Sequence, residues 1–140
     1  VYVAEGTTFS MPFVNLGLVP EFGSTLLLPM AAGRVSAAEK LLLGRPFNAA
    51  EALAMGIANA VLPPAELLAH AQGIARSFNA LPQGAVRDTK KLLRQAQATL
   101  VQDAILREAG VFGSRLAGLE AREAIAAIRE KRPPDFSRTG

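Results

Sequence analysis

One carboxylate sits in an unusual place. Glu21 lies inside Phe9–Pro29, FSMPFVNLGLVPEFGSTLLLP, a stretch apolar on both flanks and broken by Pro12, Gly17, Pro20 and Gly23. Pro20 fixes one backbone angle just before it, and Gly23 permits close backbone approach just after it. Apolar residues resume at Leu26, Leu27 and Leu28. Two readings are open. As a helix-start residue facing water, Glu21 complements the helix dipole. As a group held in an apolar pocket it is a general base, because an apolar wall raises a carboxyl pKa and excludes water. Phe9, Phe13, Phe22, Leu26 and Met30 are the candidates for that wall, and the same residues suit plain core packing.

Other chemistry-bearing groups are sparse. His70 is the single histidine; it sits between apolar Leu68 and Ala71 without a second histidine, so neither a catalytic nor a metal role is assigned to it. Ser24 and Thr25 either touch substrate or support the turn. Arg87, Lys90, Lys91 and Arg94 form the most basic stretch, read as a solvated helix face or as contact with a phosphate-bearing ligand. With no cysteine, disulfides, cysteine-ligated metals and thiol chemistry are excluded.

The pattern F-x-x-P-F-x-x-L-G-L-x-P-E, followed by small residues and an LP dipeptide, resembles the crotonase family of enoyl-CoA hydratases and isomerases. It is most similar to the Δ3,Δ2-enoyl-CoA isomerase branch. The likeness continues through RPFNAAEALAMGIANAVLP to EKRPPDF. It implies an α/β crotonase-type spiral, acyl-CoA chemistry, no separate cofactor beyond the CoA of the substrate, and assembly as a trimer or hexamer. In the hydratase motif a glutamate directly follows the proline that matches Pro12; here Phe13 stands there. Glu21 occupies a place where hydratases carry a small residue. Both departures imply the one-carboxylate isomerase arrangement, and another acyl-CoA reaction of the family stays open. The resemblance also implies that Lys131 faces a CoA phosphate and that Phe136 packs near the adenine or anchors the tail. Glu21 is thus the candidate catalytic residue; Phe13, Phe22, Leu26, Lys131 and Phe136 are candidate substrate-binding residues; no metal site is expected.

The elements that position these residues follow from local signals. The chain has 140 residues, half of them hydrophobic and 19% charged, a globular composition with one modest core. Net charge is +3, with basic residues spread rather than clustered, which argues against a nucleic-acid partner. No apolar run approaches the roughly 18 residues of a membrane span, and no basic segment followed by an apolar stretch opens the chain. A cytoplasmic location fits. Val1–Val3 reads as a strand, and a start without Met inside a strand suggests a fragment, the C-terminal part of the resembled fold, without the segment that carries its oxyanion hole.

A helix is expected from Glu21 or Phe22 to about Leu28. Ser36 with Glu39, and Asn48 with Glu51, read as capping boxes that open two further helices, stopped at Gly44 and Gly56. Ile57–Leu62 reads as a strand. Helices then follow at about 65–79, 84–97, 100–114 and 119–131, and the tail 137–140 is expected to fray. Residues 1–62 are assigned to the end of the spiral core with the active-site segment, and 63–140 to a helical region for oligomerisation and CoA cover. Two function classes result: an acyl-CoA enzyme acting through Glu21, and a non-catalytic helical association module.

Overall fold

A computed structural model describes residues 1–139, which divide into two compact units, each discontinuous in sequence. The first contains residues 1–9 and 47–100. Strand β1, Tyr2–Ala4, pairs in parallel with β4, Ala60–Leu62, placing Val3 opposite Val61. Strand β2, Thr8–Phe9, pairs antiparallel with β3, Phe47–Asn48, and the Phe9 ring stacks on Phe47 at 5.3 Å between centroids. Val3, Phe47, Ala52 and Met55 are buried in this unit's core. The expected Asn48–Glu51 capping box is present. The Glu51 N–H donates to the Asn48 side chain and the Asn48 N–H to the Glu51 carboxylate, both at 2.9 Å. It opens α3, Ala49–Ala54.

Helix α4, Pro64–Ser77, begins on a proline, whose missing N–H costs nothing at the first helical position. A short 3-10 turn at Phe78–Ala80 leads to α5, Gln83–Gln95. The Gln83 amide ties this corner by donating to the carbonyls of Phe78 and Leu81. The His70 ring meets Tyr2 edge-on at 4.7 Å, a packing contact. Neither α4 nor α5 contains a buried residue; Leu68, Phe78, Leu92 and Leu93 are exposed.

The second unit contains residues 10–46 and those from Val101 onward. A 3-10 turn, Val14–Leu16, ends at Gly17, whose φ of 67° is left-handed. Helix α1, Ser24–Ala32, follows, then α2, Arg34–Leu43, the part of α6 (Ala98–Leu116) from Val101 onward, and α7, Leu119–Arg129. Ala121, Ala124 and Ala127 are the buried stripe of α7, and their small size lets neighbouring backbone approach. Gly17 uses that space. A Cβ placed on it would stand 2.6 Å from the Glu120 Cβ and 2.7 Å from the Ala121 amide nitrogen.

Three local expectations are corrected. Helix α1 starts at Ser24, not at Glu21 or Phe22, because Phe22 and Gly23 both take left-handed φ, which no α-helix accommodates. It also continues through Pro29 to Ala32: one N–H bond is forfeited there, while buried Leu28 keeps the helix packed. Ser36 does not cap α2; Gly33 precedes the first residue, Arg34, so Ser36 already lies inside the helix. The tail does not fray as far as Thr139. It forms a 3-10 turn at Phe136–Arg138 with the Asp135 side chain accepting the Ser137 N–H; Gly140 lies outside the described residues.

Candidate active site

Glu21 sits on a turn, three residues before α1. It is half-buried, and among the described residues no hydrogen bond or ion pair engages its carboxylate. Only its backbone carbonyl is used, accepting from the Ser24 N–H at 3.1 Å and the Ser24 hydroxyl at 2.5 Å. The Glu21 backbone is therefore tied into the turn, while its carboxylate has no hydrogen-bond or ionic partner among the described residues.

The turn is strained. Phe22, directly after Glu21, has a φ of 60°, and Gly23 a φ of 78°. A left-handed conformation costs a bulky L-residue about 1–2 kcal/mol. Phe22 is 77% exposed, so burial within this chain does not offset that cost. Strain of this kind persists where surrounding contacts over-determine it, and it concentrates at functional sites.

Those contacts come from a residue with no sequence signal. Glu108 on α6 is only 6% exposed, the one charged side chain among the buried described residues. Its carboxylate accepts the Gly23 N–H at 2.6 Å and the Thr25 N–H at 2.8 Å, together with the Thr25 hydroxyl. The expectation that Glu21 serves the helix dipole is thereby corrected, since no acid lies in the first turn of α1. Glu108 supplies the negative charge there instead. Ser24 and Thr25 both support the turn.

The other expected residues are scattered. Phe9 belongs to the first unit, stacked on Phe47. Phe13 and Leu26 are half-buried in the second unit, while Met30, like Phe22, is exposed. Phe136 lines a cavity of about 330 Å³ with Val14, Gly17, Leu18 and Val19, the segment that leads to Glu21. Lys131 is exposed with a φ of 53°. It closes α7 in a double-bonded end: the Lys131 N–H donates to the Ile128 carbonyl and the Arg132 N–H to the Ala127 carbonyl. Glycine is the usual residue at that position.

Beyond Lys131 the chain is clamped back onto α7. Arg132 forks onto Glu123 and also bonds Glu130, while the Asp135 N–H donates to Glu123 at 2.8 Å. The Arg132 hydrogen bond, then the Asp135 amide, hold the Glu123 carboxyl down at about 2. A depressed folded pKa stabilises the clamp above the ordinary glutamate value of 4.5, and that stabilisation is lost as pH falls through about 2. The tail should therefore stay docked at pH 5 and release as acid is added toward pH 2. The Asp135 amide resonance, followed through an acid titration, is expected to move in that window, and Glu123→Gln should shift it already at neutral pH.

The chain takes the α/β crotonase-type fold, since solved structures of that fold superpose on nearly all of it. The enoyl-CoA hydratase/isomerase family model matches residues 1–139, and the chain belongs to that family. It is 31% identical to a probable enoyl-CoA hydratase of Mycobacterium bovis over 96% of this chain and 52% of that one. It is 33% identical to the 1,2-epoxyphenylacetyl-CoA isomerase of Escherichia coli, covering 98% of this chain and 52% of that one. Among solved structures, the enoyl-CoA hydratase/isomerase of Pseudoalteromonas atlantica superposes with a TM-score of 0.93 at 38% identity, over 98% of this chain and 55% of that one. The chain thus spans about half the length of the relatives it matches. No helix among the described residues is long and apolar enough to cross a membrane.

Proposed function

We propose that the protein shifts the double bond of an enoyl-CoA from position 3 to position 2, with Glu21 as the only acid–base group. The observation that carries this reading is the half-buried Glu21 carboxylate, unengaged on a turn whose backbone is fixed. The ionised carboxylate removes a proton from C2 of the acyl chain. The electron pair delocalises over the thioester carbonyl and the C3–C4 double bond. The same carboxyl group then returns the proton to C4, leaving the double bond between C2 and C3. Donors to the enolate oxygen lower the barrier to the first step. One movable proton suffices, so no second carboxylate is required.

Lys131 and Phe136 are proposed to contact the CoA moiety, Lys131 as an exposed point charge suited to a phosphate oxygen. Phe13, Phe22 and Leu26 are proposed to line the path of the acyl chain. The exposed apolar residues of α4 and α5 support assembly with further copies of the chain, in a trimer or hexamer, and a cytoplasmic location is proposed with it.

Hydration of 2-enoyl-CoA is the second reading, favoured by the hydratase names among the relatives. Hydration adds water across the bond and is usually shared between two acids, whereas Phe13 contributes none. Parallel assays on the full-length gene product separate the two. Isomerisation of 3-enoyl-CoA is expected to outrun hydration of 2-enoyl-CoA; hydration as the faster reaction would overturn the proposal. A purely structural association module would show neither activity, and acyl-CoA would leave its Tm unchanged.

A further inference from the structure

The turn that carries Glu21 raises a question of its own. Two consecutive left-handed residues, one of them an exposed phenylalanine, do not hold themselves in place. Glu108 reaches them from α6, 85 residues away in sequence. It accepts N–H groups on both sides of Ser24, and Ser24 in turn bonds the Glu21 carbonyl oxygen through both its N–H and its hydroxyl. The bonds form an unbroken series: Glu108 carboxylate, Gly23 and Thr25, Ser24, Glu21 backbone. Among the described residues no cation pairs with Glu108, so its charge is satisfied by the three donors of the turn itself.

We propose that Glu108 is a positioning residue for the proton-transfer step: it sets the angle at which the Glu21 carboxylate leaves the turn. The proposal rests on the reading of Glu21 as the acid–base group. Glutamine keeps the shape of Glu108 but presents an NH2 group to one of two N–H donors, so one side of the clasp must open. Small displacements of a catalytic group are costly, about a hundredfold for an ångström.

The test is a double-variant cycle in the full-length gene product, assayed for 3-enoyl-CoA isomerisation well below each variant's Tm. Glu108→Gln is expected to lower kcat about 10- to 100-fold with KM nearly unchanged. Thr25→Val, which removes only the hydroxyl bond, should lower kcat less, in the same direction, and serves as the milder variant should Glu108→Gln fold poorly. In a Glu21→Gln background, Glu108→Gln should produce no further loss, because a residue acting through Glu21 has nothing left to position. A lowered Tm with kcat intact in both Glu108→Gln and Thr25→Val would reduce Glu108 to a helix cap and overturn the proposal. An equal loss in both backgrounds would overturn it too, by showing an effect independent of Glu21. If Glu21→Gln alone leaves the rate intact, the acid–base reading fails first, and that single variant reveals it.

Discussion

Glu21→Gln in the full-length gene product is expected to lower kcat for double-bond migration by about a thousandfold, within the range that a positioned acid–base group supplies. KM should change little. The amide keeps the size of the carboxylate and cannot take a proton from carbon. The substitution should also be structurally silent. Among the described residues only the Glu21 backbone carbonyl is engaged, by Ser24, and the side chain has no hydrogen-bond or ionic partner to lose. Tm within about 1 °C of the parent, with the rate collapsed, is therefore the expected pair of results. A fall in both would mean that the side chain has a packing duty. Retained isomerisation would remove Glu21 from the chemistry.

The second large effect concerns stability. Gly17→Ala is expected to destabilise the fold by about 3 kcal/mol or more, from overpacking added to backbone strain. The new Cβ would fall 2.6 Å from the Glu120 Cβ and 2.7 Å from the Ala121 nitrogen. These atoms belong to the first turn of α7 and cannot swing aside as a side-chain tip can. The left-handed φ of 67° adds a conformational term. For a chain of 140 residues this is a Tm drop on the order of 10 °C. Gly6→Ala is the matched control, because Gly6 has a φ of 78° and open space around its Cβ position. It should cost only about 1 kcal/mol, the conformational term alone. Equal losses at both sites would show that Gly17 is needed for its φ and not for its contact with α7.

What could be read in advance depended on the range of each interaction. The Asn48–Glu51 box was legible because donor and acceptor are three residues apart and nothing distant competes. Ser36 and Glu39 show the same spacing, yet the helix begins at Arg34 after Gly33. Cap chemistry marks where a helix can start; the backbone freedom of a nearby glycine decided where it does. Glu21 drew attention by its composition, a lone acid in an apolar run. That it precedes α1 by a left-handed pair was not legible, because phenylalanine rarely adopts that conformation. Glu108 gave no signal at all: it looks like any acid on an amphipathic helix, and its partners are more than 80 residues away. The docked tail was missed for the same reason, since Asp135 reaches Glu123 across a reversal of the chain.

The clasp also has a bearing on the order in which the chain acquires structure. Each compact unit is closed by a segment that comes late: Ala60–Leu62 must return to Tyr2–Ala4, and α6 must return to the turn at Gly23. Closing loops of such length is paid in chain entropy before any contact rewards it, and pairings so distant in sequence form slowly. On a translating ribosome, α1 therefore emerges long before the carboxylate that clasps its first turn. Until Glu108 clears the exit tunnel, Phe22 is free to leave its left-handed conformation, and a nascent chain halted before that point carries Glu21 on a turn that has not yet been set.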